Sequence, residues 1–431
     1  MRKPFLLVAI YWCIAISCLA QKEQKISIDL QGSVELDHIS FFQEVAHKIN
    51  ARNEGTFVLK GNITFDEEVS FKTAIESRKD LQDPFRDRIA YVREAYFHFV
   101  DKKIDVKAGK QIVNWGTADI YNPNNNINPI DYTDFLELED NQLGVWMISA
   151  KRFHKDNKFT ELFVSPVLPA LAVPNPVSRW VVGLPKQMPN PLEPEKLLPI
   201  VYSYGNLQPR FEDVGLMAGI RNGISANNWD ISKSILVGAN YTPSFSSSVA
   251  DIDESGIQVV LEPIYQRLYA LGFDFATTFK YFGLRGELAL KGLSEPNSKS
   301  GLATLYYEYT IGIDRTFSQL VFDKNVLVIL QWVRQRILRE QTPMDNNIRF
   351  FLQKSLLLRT ELAINYYSSF TIQTLYTLDA QNVYIRPSLK YRILDGLTIV
   401  TQADILFGKP NGFLGQFLGN DRWQVSLKYD F

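Results

Sequence analysis

Long segments of this chain alternate apolar and polar residues with a period of two. Residues 26–37 place apolar side chains and Gly32 at even positions and polar side chains at odd positions, and 57–66, 284–291 and 397–407 show similar alternation. Successive side chains of a β-strand point to opposite faces, so these segments predict strands with one apolar and one polar face. The pattern predicts an all-β protein.

The length of these segments separates a membrane barrel from a soluble sandwich. They run about 9 to 15 residues, whereas soluble strands average about 5–6 and membrane strands need about 9–11. The 20 Tyr and 28 Phe include many near predicted strand ends, as in the aromatic girdles of membrane barrels. Charges such as Lys60 stay off the apolar faces, as hydrocarbon contact requires. We therefore predict a transmembrane antiparallel up-and-down β-barrel.

Short polar connections alternate with longer ones along the chain. Eight short turns are predicted near residues 66, 101, 155, 226, 282, 322, 367 and 394. Short periplasmic turns and long outer loops are the arrangement of outer-membrane barrels. With both chain ends on the periplasmic side, eight turns predict about 18 strands, with 14 or 16 as alternatives. The two longest outer loops are predicted at 114–142 and 166–213.

The predicted loop at 166–213 has an unusual composition. It holds ten of the 20 prolines of the chain together with apolar residues such as Trp180. Proline cannot donate to a strand ladder, so this segment is not predicted as barrel strand. Long loops without secondary structure are uncommon unless they are functional. One hypothesis is that the loop folds inward and narrows or plugs the lumen, and the alternative is an ordered outer cap.

The N-terminus has the features of a secretory signal. Arg2 and Lys3 precede an uncharged, mostly apolar run that ends with small residues at Cys18 and Ala20, which predicts a cleaved signal peptide over 1–20. A membrane anchor and a lipoprotein signal acylated at Cys18 are the alternatives. Cys13 and Cys18 are the two cysteines of the chain, so the mature part, 21–431, is predicted as one barrel without disulfides or thiolate sites.

The C-terminus carries the most specific pattern. The last nine residues alternate, with Trp423, Tyr429 and the terminal Phe431 on the apolar face. This arrangement resembles the signal that the bacterial barrel-assembly machinery recognises. We therefore expect that machinery to be a partner of the last strand, and the outer membrane of a Gram-negative bacterium to be the location.

The region 91–135 contains motifs that resemble a group of Gram-negative outer-membrane barrels. That group has unknown function and includes porin-like proteins, and more distantly it resembles alginate-export-type barrels of 18 strands. The resemblance implies the barrel fold but no substrate. The tail from Phe417 to Phe431 also fits. The matching motifs are Arg93-Glu94-Ala95-Tyr96, Gly109-Lys110-Gln111, Trp115-Gly116, Ala118-Asp119 and Asn128-Pro129-Ile130-Asp131.

These motifs allow a structural and a functional interpretation. In the structural one, Gly109 permits a bulge, Gly116 a tight turn, Trp115 anchors the membrane interface, and two aspartates cap turns. In the functional one, charged residues form a selectivity cluster on the lumen wall, because rings of charge select solutes. The candidates for that cluster are Arg93, Glu94, Lys110, Asp119 and Asp131.

The formal net charge of -1 argues against a nucleic-acid partner. No catalytic or phosphate-binding motif was found, so we predict neither an enzyme nor a metal or other cofactor. The balanced charges predict a channel for small polar or amphiphilic solutes, with outer-membrane lipid and lipopolysaccharide as partners. The alternatives are a structural or adhesive surface barrel and, more remotely, a barrel-embedded hydrolase.

Overall fold

A computed structural model gives the fold of the protein. The structure describes residues 26–46, 48–137, 141–181, 183–190, 193, 195–253, 256–294, 302–340, 352–379, 381–409 and 412–431. The predicted signal peptide, 1–20, lies outside the described residues.

Eighteen antiparallel strands form one closed barrel, which confirms the predicted fold class and strand number. Closure is made by the first and last strands, since Ser33–Phe41 pairs antiparallel with Arg422–Asp430. The barrel strands are β1 Ser27–Phe41, β2 Ala51–Thr64, β3 Val69–Asp80, β4 Arg88–Val100, β5 Ile104–Gln111, β6 Val145–Phe153, β7 Lys158–Val167, β10 Met217–Ala226, β11 Trp229–Ala239, β14 Arg267–Thr278, β15 Gly283–Ser294, β16 Thr304–Val321, β17 Lys324–Glu340, β18 Lys354–Ala363, β19 Ser368–Thr377, β20 Asn382–Leu394, β21 Leu397–Phe407 and β22 Arg422–Asp430.

Apolar side chains on the outward face of the barrel are exposed, because no part of the chain that the structure describes covers them. In β1, Ile28, Leu30 and Leu36 are 64%, 62% and 57% exposed. In β15, Leu288 is exposed while Glu287 and Lys291 are buried on the inward side. A soluble protein would bury the apolar set and hydrate the polar one. The inverted distribution is that of a surface in contact with hydrocarbon.

The eight predicted short turns all occur at one end of the barrel. This end also holds the beginning of β1 and the end of β22. The nine connections at the opposite end comprise 42–50, 81–87, 112–144, 168–216, 240–266, 295–303, 341–353, 378–381 and 408–421. The connection at 378–381 was not anticipated, because only four residues join β19 to β20. We refer to the end with these nine connections as the outer end.

Two of the outer loops together form a second, smaller sheet. Loop 168–216 contributes Gln187–Pro189 (β8) and Leu197–Tyr204 (β9), and loop 240–266 contributes Ser244–Asp253 (β12) and Gly256–Ile264 (β13). Strand β13 runs parallel to β9. Leu198 and Ile257 are among the buried residues of this sheet. The described loops also contain short helical segments, which are 3-10 turns at Pro84–Arg86 and Leu414–Asn420 and one α-helical turn at Phe211–Val214.

The largest buried apolar cluster lies inside the barrel, at the outer half of strands β6–β16. It joins strand residues such as Met147 and Phe163 to Trp115 and Ile127 of loop 112–144 and to Leu171 of loop 168–216. Among the described residues, no helix is long and apolar enough to cross a membrane. The buried cluster places parts of loops 112–144 and 168–216 in the interior, packed on the wall.

Replacing Leu271 by Arg should destabilise the barrel in a membrane. Leu271 lies near the middle of β14 and is 52% exposed on the outward face. A charge on the lipid side costs about 2–4 kcal/mol at the bilayer midplane. We expect a loss of that size in the free energy of unfolding, measured by denaturant titration in phospholipid vesicles.

Thr371→Arg is the matched control. Thr371 lies in β19 in register with Glu361 and Ser388 on the inward side, where water can solvate the new charge. Equal destabilisation by both substitutions would contradict the assignment of the two faces.

Candidate functional site

Loop 112–144 leaves the wall between β5 and β6 and reaches the opposite side of the lumen. The Glu287 carboxylate of β15 accepts the backbone N–H groups of Thr117, Ala118 and Asn124 at 2.6, 2.7 and 3.1 Å. Hydrogen bonds from N–H groups to a carboxylate are stronger than hydrogen bonds between neutral groups. Glu287 therefore fixes the tip of the loop to the wall.

The neighbouring strands hold the next residues of the loop. Gln331 of β17 accepts the N–H groups of Ile120 and Tyr121, both at 3.1 Å, and donates to the Tyr121 carbonyl at 2.6 Å. The Tyr121 hydroxyl donates to Glu308 at 3.0 Å and accepts from Gln335 at 3.0 Å. Burial and the Glu308 carboxylate hold the pKa of Tyr121 well above its usual value. Side chains of three consecutive strands, β15, β16 and β17, thus bind the segment 117–124 of the loop.

This contact lies deep in the barrel. Glu287 is seven positions before the outer end of β15 at Ser294, which corresponds to about 23 Å along the strand. β15 is the eleventh and β2 the second of the eighteen strands around the barrel, so the two are nine strands apart and face each other. A loop that touches both walls must cross the lumen.

The second half of the loop is bound to the wall around β2 and β22. One oxygen of Asp134 accepts from Arg52 of β2 at 2.6 Å and from Arg422 of β22 at 2.5 Å. Arg422 also donates to Asp404 of β21 at 2.7 Å. Burial raises the pKa of Asp134, but the guanidinium groups of Arg422, Arg52 and Arg86 outweigh it and lower that pKa. Asp134 is thus held ionised within an arginine cluster.

Glu137 extends the same cluster toward β3 and the turn that follows it. Its carboxylate accepts from Arg86 at 2.5 Å and from Arg52 at 3.4 Å, and Arg78 of β3 lies 3.9 Å away. Burial opposes ionisation, yet these guanidinium groups lower the pKa of Glu137 to about 2. Buried charges are stable only when they are paired and hydrogen-bonded, as they are here.

Loop 168–216 lies over the outer mouth. The Arg179 guanidinium donates to the carbonyls of Ile49, at 2.8 Å, and Gly419, at 2.7 Å. These carbonyls belong to the loops beside β1 and β22, whereas loop 168–216 leaves the wall between β7 and β10. Around the barrel, six strands separate its base from loop 42–50, and eight separate it from loop 408–421. This portion fits the outer-cap alternative, whereas Leu171 near the start of the same loop packs inside the barrel. Narrowing of the lumen by loop 168–216 stays a prediction.

An aromatic cluster joins the three loops at the mouth. Phe135 of loop 112–144, Trp180 of loop 168–216 and Phe417 of loop 408–421 have ring centroids 5.5 to 5.9 Å apart in every pairing. Tilted and edge-on geometries at such distances are favourable beyond simple burial. Loop 168–216 and loop 112–144, called the crossing loop below, are consequently packed together.

Three of the predicted selectivity residues lie where loop 112–144 begins. Glu94 accepts the Ile112 N–H at 3.0 Å. Lys110 donates to the Val92 carbonyl at 2.6 Å, and Arg93 lies 3.5 Å from Glu76. These contacts position the start of the loop, and a role of the three residues in selectivity stays a prediction.

The two aspartates of the predicted cluster lie on opposite walls. Asp119 pairs with Arg285 of β15 at 2.5 Å. Asp131 accepts the Thr133 N–H at 2.9 Å and pairs with Arg88. The structure therefore brings each of the five predicted residues to loop 112–144 or its base, but it does not bring them together into one ring.

The prediction that Trp115 anchors the membrane interface is wrong. Trp115 is 1% exposed and packs edge-on against Phe163 inside the barrel, with ring centroids 5.2 Å apart. The next residue, Gly116, has φ +106° and lies against Asn122 and Glu287, which leave no room for a Cβ. The loop enters the lumen at this point, so the aromatic residue becomes part of the interior.

The predicted interface residues of the C-terminal strand lie on the outward face. Trp423, Tyr429 and Phe431 are all exposed. Phe431 exchanges two backbone hydrogen bonds with Gly32, at 2.8 and 2.9 Å, and its ring covers that glycine. The terminal residue therefore completes the seam between the last strand and the first.

Sequence reasoning missed the residues that anchor the crossing loop. Arg52 and Arg78 lie at the outer ends of β2 and β3, and neither residue was among the candidates of the sequence analysis. Glu287 was placed on the polar face of its strand, but nothing in the sequence indicated its partners. Asp134 and Arg422 are 288 residues apart, and their pairing has no local signal.

Comparisons with solved structures identify the fold. The chain aligns with OccAB4 of Acinetobacter baumannii at 8% identity and a TM-score of 0.54, covering 95% of this chain and 99% of that one. This chain has an outer-membrane porin fold. The porin fold is also matched by OccK11 (OpdR) of Pseudomonas aeruginosa, at 9% identity and a TM-score of 0.51, over 94% of this chain and 96% of that one. At these identities, the similarity establishes the porin fold alone.

Part of the porin-fold chain also matches a sequence family. The model of the family described as "Protein of unknown function (DUF1302)" matches residues 42–178. That range includes the motifs noted above and loop 112–144. No curated protein matches the chain. The family supports the predicted resemblance to porin-like barrels of unknown function.

Glu287→Ala should release the tip of the crossing loop. It leaves three backbone N–H groups without their acceptor, and each unmet donor costs about 1–3 kcal/mol. A nitroxide spin label at Asn125 should become more mobile in the electron paramagnetic resonance spectrum. Glu161→Ala is the control, because Glu161 lies in register with Lys151 and Arg221 on other strands. Unchanged mobility in Glu287→Ala would contradict the anchoring role.

The contribution of Glu137 to stability should depend on pH. Its folded-state pKa is lowered from 4.5 to about 2, so its stabilising effect is present above pH 4.5 and is lost as pH falls toward about 2. The difference in unfolding free energy between the native protein and Glu137→Gln should be constant above pH 5 and shrink below pH 4.5. A difference that grows on acidification would show that the carboxylate is not held by cations.

Proposed function

We propose that this protein is a porin-like channel that passes small polar or amphiphilic solutes across the outer membrane. The observation that carries the proposal is the closed barrel with a polar inward face and a loop, 112–144, held across its lumen. A loop fixed to opposite walls narrows the passage without relying on chain flexibility. Such a constriction sets an upper size for the solute.

The charges of the lumen support polar solutes over a single ion type. The arginines of the anchoring cluster are neutralised by carboxylates, as in the pairs of Arg52 with Asp134 and Arg86 with Glu54. On the opposite wall Lys291 pairs with Glu308 at 2.8 Å. Rings of uncompensated charge are what select strongly for one ion sign. Paired charges instead present many hydrogen-bonding groups with little net field.

The porin fold supports a location in the outer membrane of a Gram-negative bacterium. The exposed C-terminal aromatic residues support recognition of the last strand by the barrel-assembly machinery. Lipid and lipopolysaccharide are then the surroundings of the outward face. The absence of enzymatic activity stays a prediction.

The outer sheet favours a second candidate, a structural or adhesive surface role. Every residue of its edge strand, Ser244–Asp253, is exposed. An exposed strand edge offers unpaired backbone groups to a partner. This role does not require a conducting lumen, so the experiment below separates the two candidates.

Glu35→Cys and Leu36→Cys test the channel directly. The two residues are neighbours in β1, and Leu36 is exposed on the outward side while Glu35 lies on the inward side. The cysteines of the chain, Cys13 and Cys18, lie in the predicted signal peptide, so each variant of the predicted mature protein carries one thiol. A bulky charged methanethiosulfonate reagent should reduce the single-channel conductance of Glu35→Cys in planar bilayers, because it narrows the aqueous path.

Leu36→Cys is the matched control and should keep its conductance after the same treatment, because its side chain faces lipid. No measurable conductance in the unmodified protein, combined with an intact heat-dependent gel shift, would favour the surface role. Equal block of both variants would contradict the assignment of the conducting path to the lumen.

A further inference from the structure

The outward face carries a group of cations at the outer end of β17 and β18. Arg334 and Arg336 lie near the end of β17, and Lys354 begins β18. Arg339 follows a register shift near the end of β17 and lies opposite Leu305. These four residues, Arg334, Arg336, Arg339 and Lys354, are called the rim cluster below.

Strand alternation establishes that Arg334 and Arg336 point away from the lumen. They flank Gln335, which donates to the Tyr121 hydroxyl inside the barrel. Arg334 also lies in register with Lys354 on one side and with Tyr309 on the other. Neighbours in register across antiparallel strands share a face. The rim cluster therefore lies on the side of the barrel that faces lipid.

An apolar and aromatic row lies directly beneath the rim cluster. This row lies on the same outward face, two residues nearer the middle of the barrel than Arg334 and Lys354. It runs across four adjacent strands and consists of Ile311, Trp332, Leu356 and Tyr376. Ile311 and Tyr376 are 48% and 39% exposed. Tyr and Trp concentrate at the membrane–water interface, where their rings sit at headgroup level. The cations are thus at the height of the outer-leaflet headgroups.

In the part of the chain that the structure describes, few carboxylates pair with the rim cluster. Among the described residues, Lys354 forms the one ion pair of the cluster, with Asp379 at 3.4 Å. A cleft of about 240 Å³ opens here. It is lined by Arg334, Gln335, Arg336, Ile337, Gln353 and Asp379. Inside the lumen, by contrast, Arg52, Arg86 and Arg422 are bound to carboxylates.

We propose that the rim cluster binds a phosphate group of a phosphorylated glycolipid in the outer leaflet. Guanidinium groups match phosphate oxygens in a two-pronged geometry, and lysine adds a point charge. The acyl chains of such a lipid would lie along the apolar row beneath. This inference rests on the membrane orientation in the proposed function, but it does not require a conducting lumen.

The test is lipid binding by the folded barrel in detergent, followed by native mass spectrometry. The probe is a diphosphorylated lipid A, compared with the same lipid after removal of its phosphates. The variant R334Q/R336Q/R339Q/K354Q should bind the diphosphorylated lipid at least about tenfold more weakly, since each cation near an anionic headgroup contributes. The double variant R336Q/R339Q should show a smaller loss and guards against misfolding of the quadruple variant.

The matched control removes four cations from the opposite end. Lys102, Lys103, Lys155 and Lys280 are exposed on the short turns, and K102Q/K103Q/K155Q/K280Q should bind the lipid as the native protein does. Equal weakening in the control, or equal binding of the dephosphorylated lipid, would overturn the proposal. Competition by millimolar inorganic phosphate that matches the lipid would assign the site to a free anion instead.

Single-channel conductance of the quadruple variant keeps the two proposals distinct. Loss of lipid binding with unchanged conductance supports the rim site and leaves the channel as proposed. Unchanged lipid binding overturns the rim site whatever the conductance. A protein without conductance that still binds the lipid through the rim cluster would contradict only the channel.

Discussion

The hydrocarbon core of a membrane offers no hydrogen bonds to a polypeptide. Every backbone N–H and carbonyl group of a strand in that core must be paired with another strand, because an unpaired group costs several kcal/mol. The pairing of β1 with β22 meets this demand at the seam between the first and the last strand. The alternation of side chains, the wet interior and the need for loops to fill that interior all follow from closure.

Closure also explains where the buried charges lie. Arg52, Arg422 and Asp404 belong to strands on both sides of the seam, and Asp134 of the crossing loop binds the two arginines. A buried ion pair is weak support for stability, since desolvation offsets much of its attraction. Its value here is positional, because removing one member leaves a charge without its partner. The loop is thereby restricted to one arrangement.

Much of the fold could be predicted from the sequence, because its period of two is a local property. The eight turns, the strand number and the outward position of Trp423 and Phe431 all depend on neighbouring residues. The path of the loops does not. Trp115 follows a strand and resembles an interface anchor, but contacts with Phe163, 48 positions later, place it inside. Glu287 could be assigned to the inward face, while its partners, 163 to 170 positions earlier, could not.

The span of these contacts has a consequence for how the protein forms. Thr117 precedes its acceptor by 170 residues and Asp134 precedes Arg422 by 288, so the loop is synthesised long before the strands that hold it. Contacts of high sequence separation form slowly, because ordering the intervening chain comes first. Arg422 of the last strand binds Asp134, so the strand that closes the cylinder also holds the crossing loop. Closure of the barrel and fixation of loop 112–144 thus both depend on the final hairpin, β21–β22.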